Sequence, residues 1–184
     1  MWARLVANGQ RQKEGIDYSE TFVLMTNMSR ICTVLAIAAH RDWEIHQIDI
    51  KSAYLNAELH DDIYMRAPPS YLKQADEGKV LKLLRSLYGL KQPGHEWSEE
   101  LEKFFLESKF TCSQVDQAVY FWHAADEHTV IMVSVDDMAI TSKHLKHIKA
   151  FKQQLWMHFE IMDLGELNWL LGLKVESVSF SLPG

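Results

Sequence analysis

The chain has 184 residues, of which 47% are hydrophobic and 24% charged, and its formal net charge is −6. That length supports one hydrophobic core, or one domain with a small appendage, and excludes a full multidomain polynucleotide enzyme. The acidic balance argues against a simple nucleic-acid-binding module, whose footprint is basic. Apolar runs stay far below the ~20 residues of a membrane span, so no membrane partner is expected.

No basic start followed by an apolar stretch marks a signal peptide. Cys32 and Cys112 are far apart and read as free thiols of a reducing compartment. The charges are unevenly placed. Lys79, Lys82, Arg85 and Lys91 share a stretch without acids, and so do Lys143, Lys146, Lys149 and Lys152. The acids gather at 49–62 and at 96–107. A protein that tracks a polyanion around an acidic metal site is patterned in this way, and so are ordinary soluble enzymes.

In chain order, residues 2–8 read as a short strand and 9–22 as a polar, glycine-bearing loop. Asn27 to Ser29 opens a helix to about His40, with Ile31, Val34, Leu35 and Ala38 on its buried stripe. Glu44 to Ile50 alternates as a strand, Ile45, Gln47 and Asp49 on one side and His46, Ile48 and Ile50 on the other. Ser52 to Leu59 is a short helix or turn, and Ile63 to Met65 a short strand stopped by Pro68 and Pro69. Val80 to Leu84 is a further strand, and Leu87 to Pro93 a loop.

A helix from about His95 to Ser108 buries Trp97, Leu101, Phe104 and Phe105 and turns Glu96, Glu99, Glu100 and Glu102 outward. Val119 to Trp122 and Val130 to Val135 are strands, the second leading into a hairpin whose turn is acidic. A last helix, about Lys143 to His158, buries Leu145, Ile148, Phe151, Leu155 and Phe159 and leaves its four lysines on the open half. Gly165 breaks the pattern, Leu167 to Val175 is a last strand or hairpin arm, and 177–184 is a ragged tail. Mixed helices and hairpin-joined strands make the fold class α+β.

Asp136 and Asp137 end an apolar strand, which is costly unless the charges are solvated, paired or metal-bound. An exposed hairpin turn explains them equally well. Adjacent side chains of a strand face opposite ways, so a shared ion needs a carboxylate from another strand. Asp49 is the natural candidate, because it too ends an apolar strand. Hard cations such as Mg²⁺ take oxygen ligands, and two of them can drive a phosphoryl displacement. Composition and spacing leave polymerase, nuclease and phosphatase all open. No Gly-rich phosphate loop, HExxH or GxSxG competes. His144 and His147 read as a solvated helix face, and His95 beside Glu96 as a helix-start surface histidine.

The segments WARLVANGQRQKEGIDYSETF (2–22), WEIHQIDIKSAYLNAELHDDIYMRAPP (43–69), KLLRSLYGLKQ (82–92), SVDDMAI (134–140) and FEIMDLGELNWLLGLKV (159–175) occur in one order. In that order and spacing the chain resembles the reverse transcriptase domain of Ty1/copia-type long-terminal-repeat retrotransposons. The resemblance implies a polymerase-like palm with an antiparallel sheet and packed helices, plus partial fingers, over 1–176.

It implies two-metal nucleotidyl transfer with two Mg²⁺ or Mn²⁺ ions, held by Asp49, the backbone of Ile50, Asp136 and Asp137. Asp137 would support the primer end or an ion. Tyr54 would lie beneath the incoming sugar, Arg4 would touch the triphosphate, and Gln92 would line the nucleotide pocket. The implied partners are a primer-template and deoxynucleoside triphosphates, the implied location cytoplasmic, virus-like particles included. Thumb and ribonuclease H regions are not in this stretch. Ser134 stands where the family has tyrosine, Val23-Leu24-Met25 where it has Ser-Pro-Val, and Pro93-Gly94-His95 where it has Ala-Pro-Arg. Those departures frame the alternative, a catalytically inactive remnant that at most binds nucleic acid or a protein partner.

Overall fold

The computed structural model describes residues 5–18, 20–67 and 78–175. Arg4 and the tail 177–184 lie outside the described residues. The chain divides into two compact units, Met1–Leu24 with Ser52–Ser108, and Met25–Lys51 with Lys109–Gly184.

The second unit is built on a six-stranded sheet. Its strands are β1 (Glu44–Ile50), β4 (Thr111–Cys112), β5 (Val119–Ala124), β6 (Glu127–Ser134), β7 (Asp137–Ser142) and β8 (Ile161–Glu166), in the order β4-β5-β6-β7-β1-β8. Every neighbouring pair is antiparallel. The fold is thus α+β with an antiparallel sheet, as the sequence pattern implies. The sheet's alternation sorts its residues to two covers. On one face Ile45, Val119, Met132 and Ala139 pack with Ile31, Val34 and Leu35 of α1 (Met28–His40). Asn27 caps that helix by accepting from the Ser29 N–H at 2.9 Å. On the other face lies α4 (Leu145–His158), whose Lys152 Nζ reaches His46 Nδ1 at 2.8 Å.

Two expectations fail here. Lys152 is not on an open helix face but 8% exposed, because its stem lies over the sheet and its ammonium bonds His46 and Asp163. Strand β8 runs through Gly165 rather than breaking there. Gly165 has a φ of +74° and stands where the β1–β8 register shifts beside Gln47 and Ile48, an irregularity a glycine accommodates.

The first unit holds a short 3-10 turn Gly9–Arg11, the helix α2 (Ala53–Asn56), the hairpin β2 (Tyr64–Arg66) with β3 (Val80–Lys82), and α3 (Pro93–Glu107). Residues 5–8 form no regular strand, contrary to the pattern of 2–8. They hold to the 88–89 turn instead, Ala7 N–H donating to the Tyr88 carbonyl at 2.8 Å. Gly9 N–H donates to the Gly89 carbonyl at 2.9 Å. Gly89 is required there twice over. Its φ is +92°, and a Cβ would meet the Ala7 carbonyl oxygen at 2.2 Å.

Helix α3 starts two residues before the expected His95, with Pro93 at its first position. Its apolar stripe Trp97, Leu101, Phe104 and Phe105 is buried as read from the sequence. Glu96 is not on the outer face, however; it is 6% exposed. The first turn is enclosed on all sides, Pro93, Gly94 and Ser98 being buried with it, and helical periodicity says nothing about such a turn.

Candidate active site

The acidic residues Asp49, Asp136 and Asp137 all belong to the second unit. Strand pairing brings them together. Asp49 faces Asp137 across the β1–β7 ladder, and the Ile50 N–H donates to the Asp136 carbonyl at 2.9 Å. Ile50 and Asp136 therefore occupy a hydrogen-bonded position, and Asp49 and Asp137 the adjoining, closer kind of pair, with Cα atoms about 4.5 Å apart in such ladders. Their side chains share the sheet face that carries Gln47, whose Nε2 donates to Asp137 Oδ1 at 3.3 Å. Gln47 was not singled out by motif; the signal for it was its place two residues before Asp49 on an alternating strand.

Asp136 escapes the alternation rule because it is not in the strand. Ser134 pairs with Asp137, which leaves Val135 and Asp136 as a two-residue hairpin loop. Val135 has a φ of +59°. A positive φ at the first loop position follows the type II′ pattern, which suits glycine and is an outlier for a β-branched residue. The neighbouring Ser134 is buried and bridges Met25. Thr26 Oγ1 lies 2.8 Å from the Val133 carbonyl and 3.0 Å from that of Ala118. The base of the hairpin is held by these contacts.

All three aspartates are half-buried. Partial burial pushes the Asp49 carboxyl above the usual range, the charges of Asp136 and then Asp137 push it the same way, and Lys51 opposes them. Lys51 is itself engaged, its Nζ lying 2.7 Å from Glu160 Oε1. The donor set is thus all carboxylate, with its negative charge incompletely offset, and it fits a hard divalent cation. Among the described residues, three ligating groups approach within 4.8 Å of one another at His60, Glu96 and Glu99, and not at the aspartates.

The other expected site residues fall in the first unit. Tyr54 is half-buried in α2 with its ring 5.1 Å from that of Tyr88. Gln92 is 2% exposed; its Oε1 accepts from Gln12 Nε2 at 2.9 Å and its Nε2 donates to the Asp17 carbonyl at 3.2 Å. The amide binds loop to loop at both ends. Arg4 lies outside the described residues. No helix among the described residues is long and apolar enough to cross a membrane.

A family model described as reverse transcriptase (RNA-dependent DNA polymerase) matches residues 1–180. The chain is 36% identical, over 94% of its length, to the retrovirus-related Pol polyprotein from transposon TNT 1-94 of Nicotiana tabacum, and covers 13% of that protein. It is 34% identical, over 98% of its length, to the Pol polyprotein from transposon RE1 of Arabidopsis thaliana, covering 12% of it. With the Ty1-DR4 Gag-Pol polyprotein of Saccharomyces cerevisiae the identity is 31% over 95% of the chain and 11% of the relative. The chain thus spans about an eighth of the length of these curated relatives. No solved structure matches it. Matched nearly from end to end, the chain belongs to the reverse transcriptase (RNA-dependent DNA polymerase) family, in its Ty1/copia-type branch.

Proposed function

We propose that this chain is the polymerase core of a copia-type Pol polyprotein and adds deoxynucleotides to a primer on an RNA or DNA template. One observation carries the reading: Asp49 faces Asp137 across β1–β7, with Asp136 in the adjoining hairpin loop, in a chain of this family. Asp49 and Asp136 would hold two Mg²⁺ or Mn²⁺ ions, assisted by the Ile50 carbonyl, with Asp137 kept in place by Gln47. When bound, the ions supply activation of the primer hydroxyl and charge stabilisation at the leaving oxygen.

What the chain's own residues contribute is position. The ladder fixes Asp49, and the tight loop turns Asp136 off the strand, so that a strand carboxylate and a loop carboxylate would serve one centre. Partial burial, and after it the charges of Asp136 and Asp137, raise the Asp49 carboxyl, and a cation held by these carboxylates would offset that repulsion. In this reading 1–176 is a fingers-and-palm domain, the second unit being the palm. Tyr54 would contact the incoming sugar and Arg4 the triphosphate. Gln92, whose amide bonds Gln12 and the Asp17 carbonyl, would line the nucleotide pocket. Primer-template grip and ribonuclease H activity are left to the rest of the polyprotein, acting in the cytoplasm or in virus-like particles.

The test is primer extension with Mg²⁺ or Mn²⁺ beside Asp49→Asn and Asp136→Asn. Each substitution is expected to cut extension by about a hundredfold to a thousandfold, on the scale of lost electrostatic stabilisation in other transfer sites. Extension that survives both removes the proposed centre. A folded chain that extends nothing while still binding primer-template favours the remnant.

A further inference from the structure

We propose that His60, Glu96 and Glu99 form a second metal site, selective for zinc-like divalent cations and separate from the aspartate centre. All three residues belong to the first compact unit. His60 follows α2 by four residues, and Glu96 and Glu99 lie three apart on α3, hence on one face. One donor atom from each comes within 4.8 Å of the others. His60 Nε2 is 3.5 Å from Glu96 Oε2 and 3.8 Å from Glu99 Oε2. Two ligands each 2.0–2.1 Å from a tetrahedral zinc stand roughly 3.3–3.4 Å apart, so these atoms are close to ligand spacing.

The buried glutamate makes this more than a surface cluster. The Glu96 side chain is 5% exposed, and its Oε2 has no hydrogen-bond partner among the described residues. A buried carboxylate oxygen left unbonded is costly, and a cation at that atom removes the cost. The backbone of His60 hydrogen-bonds the Glu96 carboxyl, which fixes its approach to the imidazole.

One imidazole with two carboxylates is a nitrogen and oxygen set. Mg²⁺ and Ca²⁺ prefer oxygen alone, whereas zinc accepts both. Three protein ligands leave a fourth position open. His95 is a positioning residue: its Nε2 lies 3.5 Å from Glu99 Oε1, where it orients that carboxylate. The bound ion would tie the segment after α2 to the first turn of α3.

The experiment is zinc titration of the full chain, stripped by chelation and held in millimolar Mg²⁺ so that the aspartates are occupied by the harder ion. One zinc per chain is expected at micromolar concentration, and Co²⁺ in its place should give the visible absorption of a low-coordinate nitrogen and oxygen site. His60→Ala and Glu99→Gln should each weaken zinc about tenfold or more. Both side chains are more than half exposed, so neither substitution opens the core. Asp49→Asn should bind zinc as the parent does, whatever becomes of polymerase activity. The proposal is overturned if no zinc binds at micromolar concentration, if His60→Ala and Glu99→Gln bind it undiminished, or if Asp49→Asn abolishes it.

Discussion

Asp49 and Asp137 share a non-hydrogen-bonded position of the β1–β7 ladder, directly beside the hydrogen-bonded pair of Ile50 and Asp136. Like charges opposite one another on a sheet are destabilising, so this arrangement costs the fold something that a bound cation or a proton recovers.

The first prediction follows from the setting of Asp49, where partial burial and then that repulsion act on one carboxyl. The folded chain raises the Asp49 carboxyl above its ordinary value. A raised carboxyl contributes stability below the unfolded pKa and loses it as pH rises through the folded value. At neutral pH without metal the group is therefore a burden. Asp49→Asn should raise the melting temperature of the chelator-treated chain by up to roughly 2–4 °C, the shift from about 1 kcal/mol in a domain of this size. The gain should shrink towards acid pH, where the parent carboxyl is protonated. Mg²⁺ should stabilise the parent and leave the variant unmoved. Melts at neutral and acid pH, with and without Mg²⁺, check all three; a variant that melts below its parent at neutral pH contradicts the argument.

Val135 gives the second. Its φ of +59° places a β-branched side chain where glycine is at ease. Such strain costs on the order of 1–3 kcal/mol. Val135→Gly should stabilise the chain by about 1 kcal/mol, less than the full strain because glycine frees the unfolded chain. Polymerase activity should not gain with it, since the loop that sets Asp136 becomes looser. Urea unfolding of the variant decides the matter, and a lower midpoint than the parent refutes the strain.

What could be read from the sequence was what repeats at short range. The stripes of α1, α3 and α4 face inward where their spacing put them, buried apart from the half-buried Val34, Leu35 and Leu145, and Val130 to Val135 leads into the acidic turn as expected. Strand β8 was missed because only Ile161 in it is buried, so it carries no alternation to read. Lys152 was misread because the partners that bury it, His46 and Asp163, come from other strands. In the candidate site the acidic hairpin was legible, but whether Asp136 sits in the strand or in the turn was not, since that is a matter of one residue in register. Glu96 was hidden by the enclosed first turn of α3.

The third prediction concerns Val23 and Gly94. A Cβ on Gly94 would stand 2.1 Å from Val23 Cγ2. The two segments are locked there, Ser98 Oγ donating to the Gly94 carbonyl at 2.7 Å and accepting from the Leu24 N–H at 2.9 Å. The resembled family has serine in place of Val23 and proline in place of Gly94, so the bulky and the bare residue read as one exchange. Gly94→Ala should cost about 1–3 kcal/mol through overpacking. In a Val23→Ser background the same change should be neutral or stabilising, since alanine suits a helix better than glycine by about 1 kcal/mol. A double-mutant cycle measures the coupling; additive effects would show that the contact is not shared.

The fourth is an acid transition centred on Lys152. Lys152 is 8% exposed; its ammonium hydrogen-bonds Asp163 and lies 2.8 Å from His46 Nδ1, while His46 Nε2 lies 3.3 Å from Glu44. Burial works to raise the Asp163 carboxyl, but the Lys152 hydrogen bond, the Gly165 N–H and the nearby charges outweigh it and hold the group below its ordinary value. A lowered carboxyl contributes stability above the unfolded pKa and loses it as pH falls through the folded value. Asp163 is 47% exposed, so solvent screens the pair and the contribution is at most about 1 kcal/mol. Asp163→Asn should lose that amount at neutral pH and converge with the parent in strong acid. Lys152→Ala should cost more, about 1–3 kcal/mol, because the stem that covers the sheet goes with the charge. Lys152→Met, which keeps an apolar stem, should recover most of that difference. If Met and Ala prove equally costly, the ammonium and not the stem holds α4 to its face of the sheet.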